Sequence, residues 1–193
     1  MHLSFVLRCF FKKEKKMKNR NIILIGMPGC GKSTVGIVLA KIRGYRFTDS
    51  DLLIQESEKR LLCDIIDQDG LESFAETENR INSEINTENT VIATGGSVVY
   101  GKDAMKHLKD IGVIVYIKLP YRSVKKRLRN LKKRGVYMRP GQTLRELYDE
   151  RKPLYKKYAD IVISEEGLTI SETAALINKE CNEYFKKGGR RNK

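Results

Sequence analysis

The segment Gly26-Met-Pro-Gly-Cys-Gly-Lys-Ser33 constrains the fold of this chain more than any other. It matches GxxxxGK[ST] without a gap, a pattern that carries meaning only between a strand and a helix. "NIILIG" (21–26) precedes it, a continuous apolar run of the kind buried parallel strands have. A helical pattern follows from Lys32 to about Arg43. In that setting the glycines let the backbone wrap around a polyphosphate and aim its N–H groups inward. The helix N-terminus adds partial positive charge. Gly29, Cys30, Gly31, Lys32, Ser33 and Thr34 form the cradle, Lys32 reaching the β- and γ-phosphates and the Ser33 hydroxyl serving as a magnesium ligand.

The rest of the chain alternates strand and helix patterns. "YRFTDSD" brings a short second strand. Residues 51–88 read as helix in two or three pieces, broken near "DQDG". "TVIATGG" is a buried strand entering a glycine loop, and "IGVIVYIKLP" is a long one stopped by Pro120. Helices are expected near 102–110, 121–131 and 143–158, then a strand at "DIVIS" and a last helix to about 185. Such alternation predicts one α/β domain over 20–185, a parallel sheet between helical layers. The basic, Gly/Pro-punctuated stretch at about 132–142 reads as a lid.

Charge and composition narrow the function. The net charge of +14 suggests nucleic acid until it is located. Residues 1–20 contribute +6, residues 186–193 contribute +5, and the body carries +3. Solvated tails at 1–19 and 186–193 are therefore expected rather than a nucleic-acid surface. The lysines follow the apolar part of the N-terminus, the wrong order for an export signal, and Met17 is a plausible alternative start. No apolar run approaches ~20 residues, so no membrane span is expected. The four cysteines are scattered without a CxxC pair, which points to a reduced, cytoplasmic chain without zinc or disulfides. No NKxD motif is present, against a GTPase, and "VIATGG" lacks the Asp-Glu end of a motor's metal-binding strand. A small-molecule kinase remains, with ATP and Mg2+ and a lid that excludes water from the transferred group.

The acceptor should sit beyond the carboxyl end of the second strand. Asp49 and Asp51 in "FTDSD" share parity, so in an extended segment both face one side. One suits the magnesium shell and the other suits accepting a proton from a hydroxyl; an N-cap plus a loop acid is the plainer alternative. Arg151 lies on the apolar stripe of helix 143–158 and needs a partner, either a bound anion or a structural carboxylate. Arg139, in "YMRPG", is placed to stabilise charge on the transferring phosphoryl, unless it is merely solvated.

Taken in order, these pieces resemble the shikimate kinases over nearly all of 20–185: the phosphate loop, "FTDSD", "F…E" at 74–78, "TGG" at 94–96, "RP" at 139–140 and "RKPLY" at 151–155. The resemblance implies a three-layer P-loop kinase whose five-stranded parallel sheet has the order 2-3-1-4-5. It implies transfer of the γ-phosphoryl of ATP to the 3-hydroxyl of shikimate by a monomeric enzyme of aromatic amino acid biosynthesis. Asp51 would hold the acceptor hydroxyls and act as base, Gly95 and Gly96 would line the acceptor, and Arg151 would grip its carboxylate. Asp49 and Ser33 would support magnesium, with Lys32 and Arg139 on the phosphates.

Two positions depart from the family pattern. Ala75 stands where the family has a carboxylate-gripping arginine, and Ser97 where it usually has a third glycine. Losing a hydrogen bond to a charged group is worth ~1.5–3 kcal/mol, or roughly one to two decades of affinity. Glu78, which in the family steadies that arginine, is retained and leaves a negative charge near a site meant for an anion. These departures raise the alternative of another polyol or sugar-acid acceptor, and a non-catalytic nucleotide-binding module is the further alternative. Asn79, Lys59 and Arg60 are the candidates to replace the missing arginine.

Overall fold

The computed structural model describes residues 21–128 and 136–188. Five parallel strands form one sheet in the order β2-β3-β1-β4-β5, as expected. They are β1 (Asn21–Ile25), β2 (Arg46–Asp49), β3 (Thr90–Ala93), β4 (Gly112–Lys118) and β5 (Ile161–Ser164). Every residue of β1 and β3 is buried, because helices cover both faces of the sheet. β1 lies at the centre, with Ile23 beside Ile92 of β3 and Ile114 of β4.

The helices are α1 (Lys32–Arg43), α2 (Ser50–Glu58), α3 (Leu62–Ser83), α4 (Lys102–Ile111), α5 (Tyr121–Arg127), α6 (Leu144–Tyr158) and α7 (Ile170–Lys186). The break expected near "DQDG" falls at Gly70, whose φ of 81° interrupts α3. Capping boxes start α6 at Thr143 and Glu146 and α7 at Thr169 and Glu172. α5 ends at Arg127 with Leu128 as its non-helical C-cap; residues 129–131 of the helix expected to 131, with the lid residues Lys132, Lys133 and Arg134, lie outside the described residues. So do both terminal extensions through residue 20 and from 189, including Cys9 and Met17.

The apolar interior has two parts. The larger surrounds the sheet. A smaller one, Ile54, Ile65, Phe74 and Ile81, joins α2 to α3, and Tyr137 packs on its edge. Among the described residues no helix is long and apolar enough to cross a membrane.

Candidate active site

β1 delivers the chain to a loop that turns back on itself, with the Cys30 N–H donating to the Met27 carbonyl at 3.1 Å. Gly31 then starts α1 from the left-handed region, at φ 85°. Gly29, Gly31, Lys32, Ser33 and Thr34 border a cavity of about 590 Å³. Cys30 does not: its side chain is fully buried beneath the loop. The Lys32 ammonium donates to the carbonyls of Gly26 (2.9 Å) and Met27 (3.2 Å), holding it across the cradle.

The two aspartates divide their work. Asp49 caps α2, accepting the Asp51 N–H at 3.1 Å, so the plainer reading of an N-cap is correct for it. Its other oxygen accepts the Ser33 hydroxyl at 2.6 Å, which joins β2 to the phosphate loop. Asp51 instead turns into the cavity. Burial, and then the neighbouring Asp49 charge, push its carboxyl up to about 6.

The glycine loop after β3 is required by close approach. A Cβ on Gly95 would collide with carboxylate oxygens of Glu78 and Asp51. One on Gly96 would meet Pro28 of the phosphate loop at 2.7 Å and Arg151 Nη1 at 3.0 Å. Ser97 needs no glycine geometry, since its φ is −90°, and this departure from the family pattern costs no backbone strain.

Arg151 is completely buried on α6. Among the described residues no carboxylate lies within ion-pair distance of it. Its Nε donates to the Tyr100 hydroxyl at 3.2 Å and its Nη2 to the Tyr137 carbonyl at 2.7 Å. The Tyr100 and Tyr137 rings flank the guanidinium. The structural-carboxylate alternative is thereby set aside, and Nη1 points toward Gly96 and the cavity.

None of the candidate replacements for the missing arginine reaches the cavity. Arg60 pairs with Asp69 and Glu58, and Lys59 is exposed. Asn79 is committed to the start of α4, accepting from Ala104 N–H and donating to Asp103. Among the described residues, Lys32, Arg127 and Arg151 are the cations bordering the cavity. Arg139 stands apart from it, exposed and ion-paired to Glu150.

Glu78 is buried, and its Oε1 has no hydrogen-bond partner. Burial pushes its carboxyl up to about 7, against a smaller downward pull from the Ser97 hydroxyl and an upward push from Asp51. Near neutrality much of the population therefore carries a proton, and the anticipated repulsion of an anion is relieved. The neutral form is favoured by folding, so this contribution to stability is full below the ordinary carboxylate value and is lost as pH rises through about 7. At pH 8 the ionised Glu78 costs up to about 3 kcal/mol. Glu78→Gln should accordingly raise Tm by several degrees at pH 8 and little at pH 5, measured by thermal denaturation. An equal shift at both pH values would contradict this account.

Two further side chains that shape the site were not legible from the sequence. Tyr155, on the apolar stripe of α6, donates its hydroxyl to the Gly96 carbonyl at 2.6 Å and so fixes the glycine loop. Arg127 forks onto Glu165 at 3.0–3.1 Å beside the phosphate loop. Nothing in "VKKRLR" separates it from its solvated neighbours.

Comparison with known proteins agrees with this geometry. The model of the shikimate kinase family matches residues 28–182. The shikimate kinase of Thermodesulfovibrio yellowstonii is 37% identical over 164 residues, covering 83% of this chain and 94% of its own. That of Persephonella marina is 35% identical over 149 residues, covering 77% and 90%. Among solved structures, shikimate kinase from Acinetobacter baumannii in complex with shikimate superposes with a TM-score of 0.74 at 28% identity, covering 90% of this chain and 96% of that one. The Aquifex aeolicus shikimate kinase gives 0.73 at 31% identity, covering 88% and 99%.

Proposed function

The chain belongs to the shikimate kinase family, and on that premise we infer that it transfers the γ-phosphoryl of ATP to the 3-hydroxyl of shikimate, giving shikimate 3-phosphate and ADP. The observation that carries the acceptor assignment is Arg151: a buried cation with no carboxylate in ion-pair contact among the described residues, bordering the same cavity as Asp51 and the phosphate loop. An anionic, hydroxylated acceptor supplies what that arrangement lacks.

In this reading the acceptor carboxylate meets Arg151 Nη1, and its ring lies against Gly95 and Gly96. Asp51 accepts the proton of the attacking hydroxyl, for which a carboxylate held near 6 is ionised but still basic at physiological pH. Lys32 leaves the loop carbonyls for the β- and γ-phosphates, while the loop N–H groups of Gly29 to Thr34 hold the polyphosphate. Arg139 stabilises the charge on the transferring group after leaving Glu150.

The Ser33 hydroxyl and the Asp49 carboxylate are hard oxygen donors held 2.6 Å apart at the mouth of the cradle, a donor set that suits Mg2+. Among the described residues no group of three or more His, Cys, Asp or Glu could hold a metal alone, in keeping with an ion that keeps waters and nucleotide oxygens as its other ligands. When bound, Mg2+ neutralises charge on the β- and γ-phosphates. We assign the enzyme to the cytoplasm, supported by the free thiols of Cys30, Cys63 and Cys181, and propose that it acts as a monomer.

Shikimate-dependent ADP release with Mg-ATP tests the assignment; turnover only on other polyols would overturn the acceptor. Ala75→Arg is the companion measurement. The new guanidinium gains both the acceptor carboxylate and the unpartnered Glu78 Oε1 one helical turn away. The KM for shikimate should fall by roughly tenfold or more. An unchanged KM would mean that residue 75 does not face the acceptor.

A further inference from the structure

Glu150 and Tyr100 form an unbroken chain of hydrogen bonds between the arginine assigned to the acceptor and the arginine assigned to the phosphoryl group. Arg151 Nε donates to the Tyr100 hydroxyl at 3.2 Å. That hydroxyl donates to Glu150 Oε1 at 2.7 Å. Glu150 Oε2 accepts from Gln142 at 2.8 Å and from Arg139. Burial raises the Tyr100 pKa, so the hydroxyl keeps the proton it gives to Glu150. We propose that Glu150 is a positioning residue that holds Arg139 off the phosphate loop, and that Tyr100 makes this hold depend on whether Arg151 is occupied.

The physical argument runs from each end. Arg139 is the exposed partner of an ion pair whose carboxylate is also bound by Gln142 and Tyr100. Nucleotide phosphates must compete with that carboxylate for it. At the other end, accepting from Arg151 Nε fixes the Tyr100 hydroxyl so that its own proton points at Glu150. A carboxylate arriving at Nη1 draws the guanidinium toward Gly96, away from Tyr100 and from the Tyr137 carbonyl two residues before Arg139. The Glu150 carboxylate then loses an anchor and releases Arg139. Until an acceptor is present, the phosphoryl group lacks this cation, which limits transfer to water.

This inference rests on the shikimate kinase reading for the identity of the acceptor, and the test separates the two. Binding of a non-hydrolysable ATP analogue with Mg2+ is measured by calorimetry with and without saturating shikimate, for the natural protein, Glu150→Gln and Tyr100→Phe. In the natural protein shikimate should tighten the analogue by at least about fivefold, an ordinary coupling between sites. Glu150→Gln should already bind the analogue several-fold more tightly without shikimate, and the gain from shikimate should shrink toward one. Tyr100→Phe keeps the ring over Arg151 and loses only the hydroxyl; its gain should also shrink. In an Arg139→Gln background, Glu150→Gln should change nothing, since the cycle isolates the pair. Unaltered analogue affinity in acceptor-free Glu150→Gln would overturn the proposal, whatever the acceptor. Absence of shikimate-dependent ADP release by the natural protein would instead overturn the acceptor assignment.

Discussion

Asp51→Asn should lower kcat by about a thousandfold, within the ~10²–10⁴ that a positioned general base contributes. The substitution is nearly isosteric, and the site around it is fixed by other contacts. Asp49 keeps its bonds to Ser33 and the α2 backbone, so the phosphate loop is undisturbed and nucleotide affinity should change little. The pH profile gives the second check. Burial and the Asp49 charge push the Asp51 carboxyl up to about 6, so the base is ionised above that value and protonated below it. Turnover should therefore fall as pH drops through about 6, and the variant should lose this limb. Initial-rate kinetics from pH 5 to pH 8 provide both readings. An asparagine variant within tenfold of the natural kcat would remove Asp51 from the chemistry.

Arg151→Met should raise the KM for shikimate by about two decades without unfolding the protein. Hydrogen bonds to a charged group are worth ~1.5–3 kcal/mol, and ~1.4 kcal/mol is tenfold in affinity. With Ala75 in place of a second arginine, the full loss falls on this one side chain. Stability should respond in the opposite sense from that of a broken salt bridge. Removing one member of a buried ion pair strands the other charge, but Arg151 has no carboxylate in ion-pair contact among the described residues to strand. Replacing the buried cation with an apolar side chain of similar length should leave Tm unchanged or higher, despite the donor lost by the Tyr137 carbonyl. A Tm collapse with unchanged KM would make Arg151 a structural residue.

The parallel α/β architecture and the phosphate loop were legible because each rests on local pattern, whereas the strand order came only with the family resemblance. Continuous apolar runs mark strands buried on both faces, and the loop's glycines, lysine and serine have fixed spacing. The Gly70 break was legible for the same reason. The acceptor end was less so, because its chemistry arises from partners distant in sequence. Arg151 stood out as a charge on an apolar stripe, but the lack of an ion-pair contact to it among the described residues depended on where α6 packs. Glu78 looked like an unfavourable charge; only its depth of burial shows why the site tolerates it. Asn79 shares a helical face with Ala75, yet its amide is taken by α4, a contact set by tertiary packing alone. Arg139 was expected on the phosphates, and its attachment to Glu150 has no signature in "YMRPG".

The contact of Gly96 with Pro28 on one side and Arg151 on the other has an evolutionary consequence. In the proposed reading residue 96 borders both substrates' sites at once, so a side chain there would crowd Pro28 of the phosphate loop and Arg151 together. Change is freer on α3, whose apolar contacts with α2 form a separate small cluster away from the sheet. Position 75, on that helix, can vary while the phosphate loop stays intact. Drift in acceptor preference within this architecture should be sought first on α3 and last in the glycine loop.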